Sequence, residues 1–378
     1  MLASIDKQVM KRQYACRKSM SLTKPKLLIV THNLSRTGAP YITLSLARIM
    51  RESYDITVIS PVPGDLEILY AASGIHLLIN SSIIDCSEET RTVLKEFDLI
   101  ILSTSSLWSI ALQAKRWGMK VIWMIHDALS TKLSGNAGWR KTIIECNFVV
   151  FPSEDTRQRY KDHLQTDNHQ VVPYGIDYPI PLQNNLCKTK TKRNVQFLHV
   201  GVKTPRKGQD ILVRSIEVLH NNDIEGFEFV FIGAEKASKQ SYAEVLRSRT
   251  AHIPTVKWLG ELDHEETLAY IASCDVLVCT SRDDPSPLVV IEALLCGKAV
   301  VSTPVGIMND IIIDNYNGIL VPYGDYQLLT EKLMLLGLNH NLRERLGRTG
   351  GRTAQLFNQH RYRAEIEFLI DLLLNGAV

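Results

Sequence analysis

Asp284 and Glu292 stand eight residues apart, one on each side of a stretch that reads as the start of a helix. The stretch 281–303 is SRDDPSPLVVIEALLCGKAVVST. Ser286 suits the N-cap and Pro287 the first helical position. Residues 288–296 continue as helix, Gly297 ends it, and 298–303 is the next strand. Amides of the first turn, those of Leu288 and Val289 among them, find no partner inside the helix, and the positive end of its dipole lies there, so an anion fits. Helical side chains lean toward the N-terminus, which aims Glu292 back along the face of Leu288 at the same anion. Phosphate on the amides, with sugar and ribose hydroxyls on the two carboxylates, is a way to hold a sugar nucleotide. The bland alternative is a buried βαβ unit in which Ser286 caps its own helix and Glu292 makes a structural hydrogen bond.

Three other places carry chemistry-bearing side chains. Arg206 and Lys207 sit side by side in a strand–helix loop, 201–208 (GVKTPRKG). Adjacent cations at such a loop can offset negative charge developing on a leaving diphosphate. Gly38 lies where the first strand turns into the first helix, and a glycine there lets backbone approach a phosphate closely. It is not part of a GxGxxG, which argues against a dinucleotide site. His126 and Asp127 follow the strand 121–125, at the carboxyl end where parallel sheets bind ligands. His126 is the better candidate, with Asp127 orienting it or capping the next helix. His199, also near a strand end, reads as structural.

These residues need a scaffold of alternating strands and helices. Short apolar runs predict strands at 26–31, 54–60, 75–79, 99–102, 121–125 and 148–151, separated by helices near 38–50, 88–97, 107–117 and 153–164. The pattern breaks at 177–194, a stretch with Pro179, Pro181 and a basic run, which reads as an interdomain linker. It restarts with strands at 195–200, 227–232, 255–259 and 276–280 and helices near 208–220, 242–249, 265–273 and 288–296. Alternation of this kind predicts an α/β fold of two doubly wound, Rossmann-like domains facing a cleft. The expected organisation is a basic tail over 1–21, a first domain over 22–180, a linker over 181–194, a second domain over 195–350 and a C-terminal helix over 351–378. A chain of 378 residues suits two domains. Its formal charge of +3 gives no case for nucleic acid as a partner. Seven cysteines without a CxxC predict a reduced, cytoplasmic protein with neither disulfide frame nor zinc site. No apolar run reaches the ~18–20 residues of a membrane span. The basic tail has no apolar h-region; it is a disordered extension or an arm resting on anionic lipid at the inner face of the membrane.

The stretch around Asp284 and Glu292 resembles the acid-x7-acid signature of the retaining glycosyltransferases of family 4, which have the GT-B fold. Asp284 takes the place of the first Glu and Glu292 of the second. The loop 201–208 resembles the family's basic phosphate loop: Gly201 and Lys207 match directly, Val202 replaces the usual Arg, and Arg206 or Lys203 is left to supply the second charge. Residues 35–40 (SRTGAP) resemble the family's N-terminal glycine turn through Gly38. His126 resembles the active-site His that contacts the transferred sugar. Residues 151–160 and 171–177 resemble stretches that shape the linker side of the cleft. Gly233 and 259–261 fall where family members hold the base. Gly306 and Asp310 resemble the G-G-I-P-E loop, with Ile307 and Asp310 as departures.

The resemblance implies a metal-independent retaining transferase needing no cofactor, which moves a hexose-type sugar from a UDP- or GDP-sugar to a saccharide or lipid-linked acceptor in cell-surface polysaccharide synthesis. It assigns His126, Asp284, Arg206 and Lys207 to catalysis. Gly38, Gly201, Leu288, Val289 and Glu292 go to donor binding. It also implies that the final helix crosses back onto the first domain. Two other readings fit the same fold: a sugar-nucleotide epimerase and a non-catalytic sugar-nucleotide-binding protein.

Overall fold

The computed structural model describes residues 24–127, 131–176, 194–235 and 241–376. The basic tail and all of the linker except Asn194 lie outside them. The first domain is a seven-stranded parallel sheet: β1 (Lys26–Thr31), β2 (Asp55–Ser60), β3 (His76–Ile79), β4 (Leu99–Ser103), β5 (Val121–Met124), β6 (Phe148–Phe151) and β7 (His169–Val171), in the order β3-β2-β1-β4-β5-β6-β7. The second is a six-stranded parallel sheet: β8 (Val195–Val200), β9 (Phe227–Ile232), β10 (Val256–Gly260), β11 (Val276–Cys279), β12 (Ala299–Ser302) and β13 (Ile319–Leu320), in the order β10-β9-β8-β11-β12-β13. β1, β4 and β5 are runs of Leu, Ile, Val and Trp that are buried on both faces, which is why a continuous apolar pattern announced them.

Strand order reverses between β1 and β4, and again between β8 and β11. Each reversal leaves a crevice at the carboxyl ends of the strands. The loops that open there carry the candidate residues: 32–37 and 104–107 in the first domain, 201–208 and 280–287 in the second. The second crevice is narrow. Gly208 has φ +67°, and a Cβ there would stand 1.9 Å from the Thr280 carbonyl oxygen, so only glycine lets the two loops meet.

Each sheet has a core on both faces, and the C-terminal helix Gln359–Leu374 completes one of them. Its Tyr362, Ile366, Leu369 and Ile370 are fully buried in the cluster that holds Leu27, Leu44, Met50 and Tyr54 of the first domain. At roughly 1.5–3 kcal/mol per buried side chain, these four residues anchor the helix firmly. Gly175 makes room for the crossing, since a Cβ there would lie 2.6 Å from that of Tyr362. The Ile176 N–H donates to the Phe357 carbonyl at 3.0 Å, and Arg361 Nη2 donates to the Pro173 carbonyl at 2.6 Å. The boundary expected at 350–351 falls inside helix His340–Ala354, which packs against the second domain: a Cβ on Gly347 would meet the Gly297 carbonyl oxygen at 2.0 Å.

The two domains also clasp each other through reciprocal helix starts. Asp310, in helix Ile307–Ile311 of the second domain, accepts from the Glu154 N–H at 2.6 Å and the Asp155 N–H at 3.3 Å. These amides open helix Glu154–Arg159 of the first domain. Asp155 in turn accepts from the Gly306 N–H at 3.1 Å and from Asn309 Nδ2 at 2.8 Å. Carboxylates at helix N-termini satisfy orphan donors and meet the positive end of the dipole.

Candidate active site

The helix that organises the site begins one residue later than its sequence suggests. Pro287 holds the N-cap position in extended conformation, and the helix runs Leu288–Leu295. A prolyl φ is compatible with either position, and here Pro287 contributes no side-chain cap. Ser286 is therefore not the cap. Its hydroxyl is buried and has no hydrogen-bond partner among the described residues. A buried polar atom left unsatisfied beside an uncapped helix start is what a phosphate-binding corner looks like before the phosphate arrives.

Lys207 and Asp284 come together as an ion pair, with only 17% and 10% of their side chains exposed. The pairing joins the two loops at the β8–β11 switch. Gly201 lies against the aliphatic stem of Lys207, 3.4 Å from a would-be Cβ. Arg206 is exposed at the rim and donates from Nη1 to the Asp283 carbonyl at 2.8 Å. Lys203 does not supply the second charge. Its Nζ is buried, donates to the Gly233 carbonyl, and lies 3.8 Å from Glu235 and 5.9 Å from the centre of the Trp258 ring. Asp283 pairs with Arg159 of the first domain at 3.1 Å, and burial raises its carboxyl above the usual range. Both aspartates of the Asp283-Asp284 pair thus already face cations.

Glu292 lies one turn into the helix and is buried; its Oε1 is 3.1 Å from Nε2 of His264, the first residue of helix His264–Ser273. Gly38 opens helix Gly38–Met50 on the other side of the cleft, and a Cβ there would meet nothing within 4 Å, so the backbone is open to a ligand. Three residues on, the Tyr41 ring reaches across to His264, with ring centres 5.3 Å apart.

His126 is held by Tyr174, whose hydroxyl lies 2.6 Å from Nδ1. Burial, with His32 as a second and smaller cause, pushes the imidazole down to about 3, so the ring is neutral at ordinary pH. Burial raises the Tyr174 phenol far above its usual value. A protonated phenol that donates to Nδ1 leaves the ring proton on Nε2, which has no partner among the described residues.

Residues 128–130, where Asp127 would cap the next helix, lie outside the described ones, and among the described residues Asp127 has no hydrogen bond to His126. It accepts from the N–H of Ser105, at 2.8 Å, and from the Ser105 hydroxyl, steadying the turn after β4. His199 is buried against Phe231, ring centres 5.8 Å apart.

Sequence reasoning missed Tyr174, His264 and Tyr41. Tyr174 lies in the segment expected to shape the linker side of the cleft, three residues past the end of β7. Nothing local marks His264 or Tyr41, because what gives them meaning is an approach across the cleft.

Comparison with known proteins settles the family. The model of the family Glycosyl transferases group 1 matches residues 187–353, and that of Glycosyltransferase Family 4 matches residues 36–178. The chain belongs to the group 1, family 4 glycosyltransferases. Among the chain's curated relatives is an uncharacterized glycosyltransferase of Methanocaldococcus jannaschii, 34% identical over 43% of this chain and 43% of its own length. Another is a D-inositol 3-phosphate glycosyltransferase of Xylanimonas cellulosilytica, 24% identical over 64% of each chain. The matched region thus spans less than half of the first relative. Among solved structures, Anabaena HepE in complex with UDP and glucose superposes with a TM-score of 0.77 at 18% identity, covering 92% of this chain and 99% of that one. Sucrose-phosphate synthase from Thermosynechococcus elongatus gives 0.73 at 16% identity, covering 93% and 100%. The fold is GT-B. No disulfide joins any two of the described cysteines, and no described helix is long and apolar enough to cross a membrane.

Proposed function

We propose that this glycosyltransferase takes a hexose-type sugar from a UDP- or GDP-sugar and moves it, with retention at the anomeric carbon, to a hydroxyl of a saccharide or lipid-linked acceptor. The observation that supports the proposal is the mostly buried pair of Lys207 with Asp284, in the loop that leads into the uncapped start of helix Leu288–Leu295, with Glu292 buried one turn into that helix. The diphosphate sits on the amides of Leu288 and Val289, with Lys207 and Arg206 offsetting the charge that grows as it leaves. Glu292 takes the ribose hydroxyls and Asp284 the sugar hydroxyls. The neutral His126 presents its Nε2–H to the transferred sugar from the other side. The acceptor hydroxyl enters over the first domain and bonds to the anomeric carbon as the bond to the leaving phosphate breaks. A phosphate oxygen on that same face takes the hydroxyl proton. The Asp310–Asp155 clasp favours a closed cleft in which water competes poorly for the donor.

No cofactor and no metal enters this scheme, because the donor's charge is met by Lys207, Arg206 and backbone amides. We place the activity in cell-surface polysaccharide synthesis at the cytoplasmic face of the membrane, a setting that fits a saccharide or lipid-linked acceptor. The test is turnover of UDP- and GDP-hexoses with and without saccharide acceptors and with EDTA. Acceptor-dependent release of the nucleoside diphosphate, unaffected by EDTA, is expected. Donor consumed without acceptor and without hydrolysis would point to epimerisation. Binding without turnover would make the protein a sensor.

A further inference from the structure

Glu292 is buried, yet it does not stand alone. His264 Nε2 lies 3.1 Å from its Oε1, at the first position of a helix whose own start is fixed by a capping box between Asp263 and Glu266. That capping box clamps the backbone under His264, so the imidazole approaches Glu292 from a defined direction. On the outer face of the imidazole lies Tyr41, from the first turn of helix Gly38–Met50 in the opposite domain, with rings 5.3 Å apart and inclined by 37°. Tyr41 is half-buried there. The chain of contacts therefore runs from one domain to the carboxylate of the other across the mouth of the cleft.

We infer that His264 is a positioning residue for Glu292, and that Tyr41 makes its position depend on domain closure, so that this site reads the ribose hydroxyls of the nucleotide tightly only when the cleft is shut. The inference rests on the donor-binding reading above and adds a specificity device to it. With Tyr41 in place, the imidazole is wedged between the phenol and the carboxylate, and one rotamer of Glu292 is selected for the ribose. With the domains apart, that wedge is lost and Glu292 has more freedom.

The experiment is calorimetric titration of the full chain with UDP and GDP and with their 2′,3′-dideoxy analogues, together with steady-state kinetics on the active donor. For the ribose nucleotide, His264→Ala is expected to weaken binding about tenfold and to raise the donor KM similarly, with kcat within about threefold. His264→Gln, which keeps a donor of similar reach, recovers most of that loss. Tyr41→Ala weakens binding several-fold, and the double variant Tyr41→Ala/His264→Ala is no worse than His264→Ala alone. For the dideoxy nucleotide, all variants bind like the wild type. Equal losses for ribose and dideoxy nucleotides would overturn the inference and make the contact structural, as would additive effects of the two substitutions. Thermal melting of each variant separates misfolding from loss of binding, and Tyr41→Phe, which keeps the ring, should behave like the wild type. If no nucleoside diphosphate binds the wild type, the donor reading itself fails, an outcome distinct from the others.

Discussion

Replacing Lys207 by alanine should do two separable things. The Lys207–Asp284 pair lies mostly out of solvent, with 17% and 10% side-chain exposure. Two unit charges about 4 Å apart attract by roughly 4 kcal/mol at an effective dielectric constant near 20. Removing one of them also strands the other, which for buried pairs costs about 3–5 kcal/mol. Residual solvent exposure trims the figure, so a loss near 3 kcal/mol is expected. In a domain of this size that lowers the melting temperature by roughly 6–12 °C. Catalysis should fall independently by about 10²–10³ in kcat, because the cation opposite the leaving diphosphate is gone. The decisive variant is the double replacement Lys207→Met/Asp284→Asn. It removes both charges, so most of the melting temperature should return while activity stays low. Differential scanning calorimetry and a donor-dependent transfer assay read the two effects. A Lys207→Ala protein that melts like the wild type would refute the buried-pair argument, and a double variant that regains activity would refute the catalytic one.

Three further outcomes follow from the same geometry. His126 and His199 are buried and favour the neutral ring, at about 3 and about 4 against 6.5 when unfolded. A depressed folded value means stability present above pH 6.5 and lost as pH falls toward those values. Melting temperature should therefore drop between pH 6.5 and 4 by the equivalent of roughly 3 kcal/mol per ring, and less steeply in His126→Asn. Gly208→Ala places a Cβ on the Thr280 carbonyl at φ +67°, so it should cost at least about 2 kcal/mol in urea unfolding and weaken donor binding by parting the two loops. Asp310→Ala removes the acceptor for the Glu154 and Asp155 amides; small-angle scattering should show a larger radius of gyration and kinetics a raised donor KM, with stability changed little.

How much of this was legible beforehand depends on where the information lay. β1 and β9 were readable to the residue, because a strand that is mostly buried spells itself as a mainly apolar run, and β8 was placed to the residue although Gln196 and His199 interrupt its apolar pattern. β7 was not, since its residues His169, Gln170 and Val171 are half-exposed at a sheet edge and follow no pattern. Nor was β13, a strand of two residues. Helix Gly38–Met50 was legible from its glycine and proline start, whereas helix Leu288–Leu295 slipped by one residue because Ser-Pro admits two cap assignments. The sequence singled out charges close to a glycine or a helix start, Asp284, Glu292, Arg206 and Lys207, and of these the structure pairs Lys207 with Asp284. What could not be found were side chains whose role is made by a partner far along the chain. Tyr174 meets His126 across 48 residues, His264 meets Glu292 across 28, and Asp155 meets Asn309 across 154. The candidate Lys203 failed for a physical reason too, since its ammonium is buried and donates to the Gly233 carbonyl rather than facing the cleft.

The central claim is that the facing loops of the two domains hold a nucleoside diphosphate between them. Calorimetric titration of the wild type with UDP, GDP and ADP, repeated on Glu292→Gln and on Lys207→Met/Asp284→Asn, tests it most directly. One of the three nucleotides should bind at micromolar concentration, and each variant should weaken it at least tenfold. Failure of all three to bind a folded wild-type protein, or undiminished binding in both variants, would contradict it.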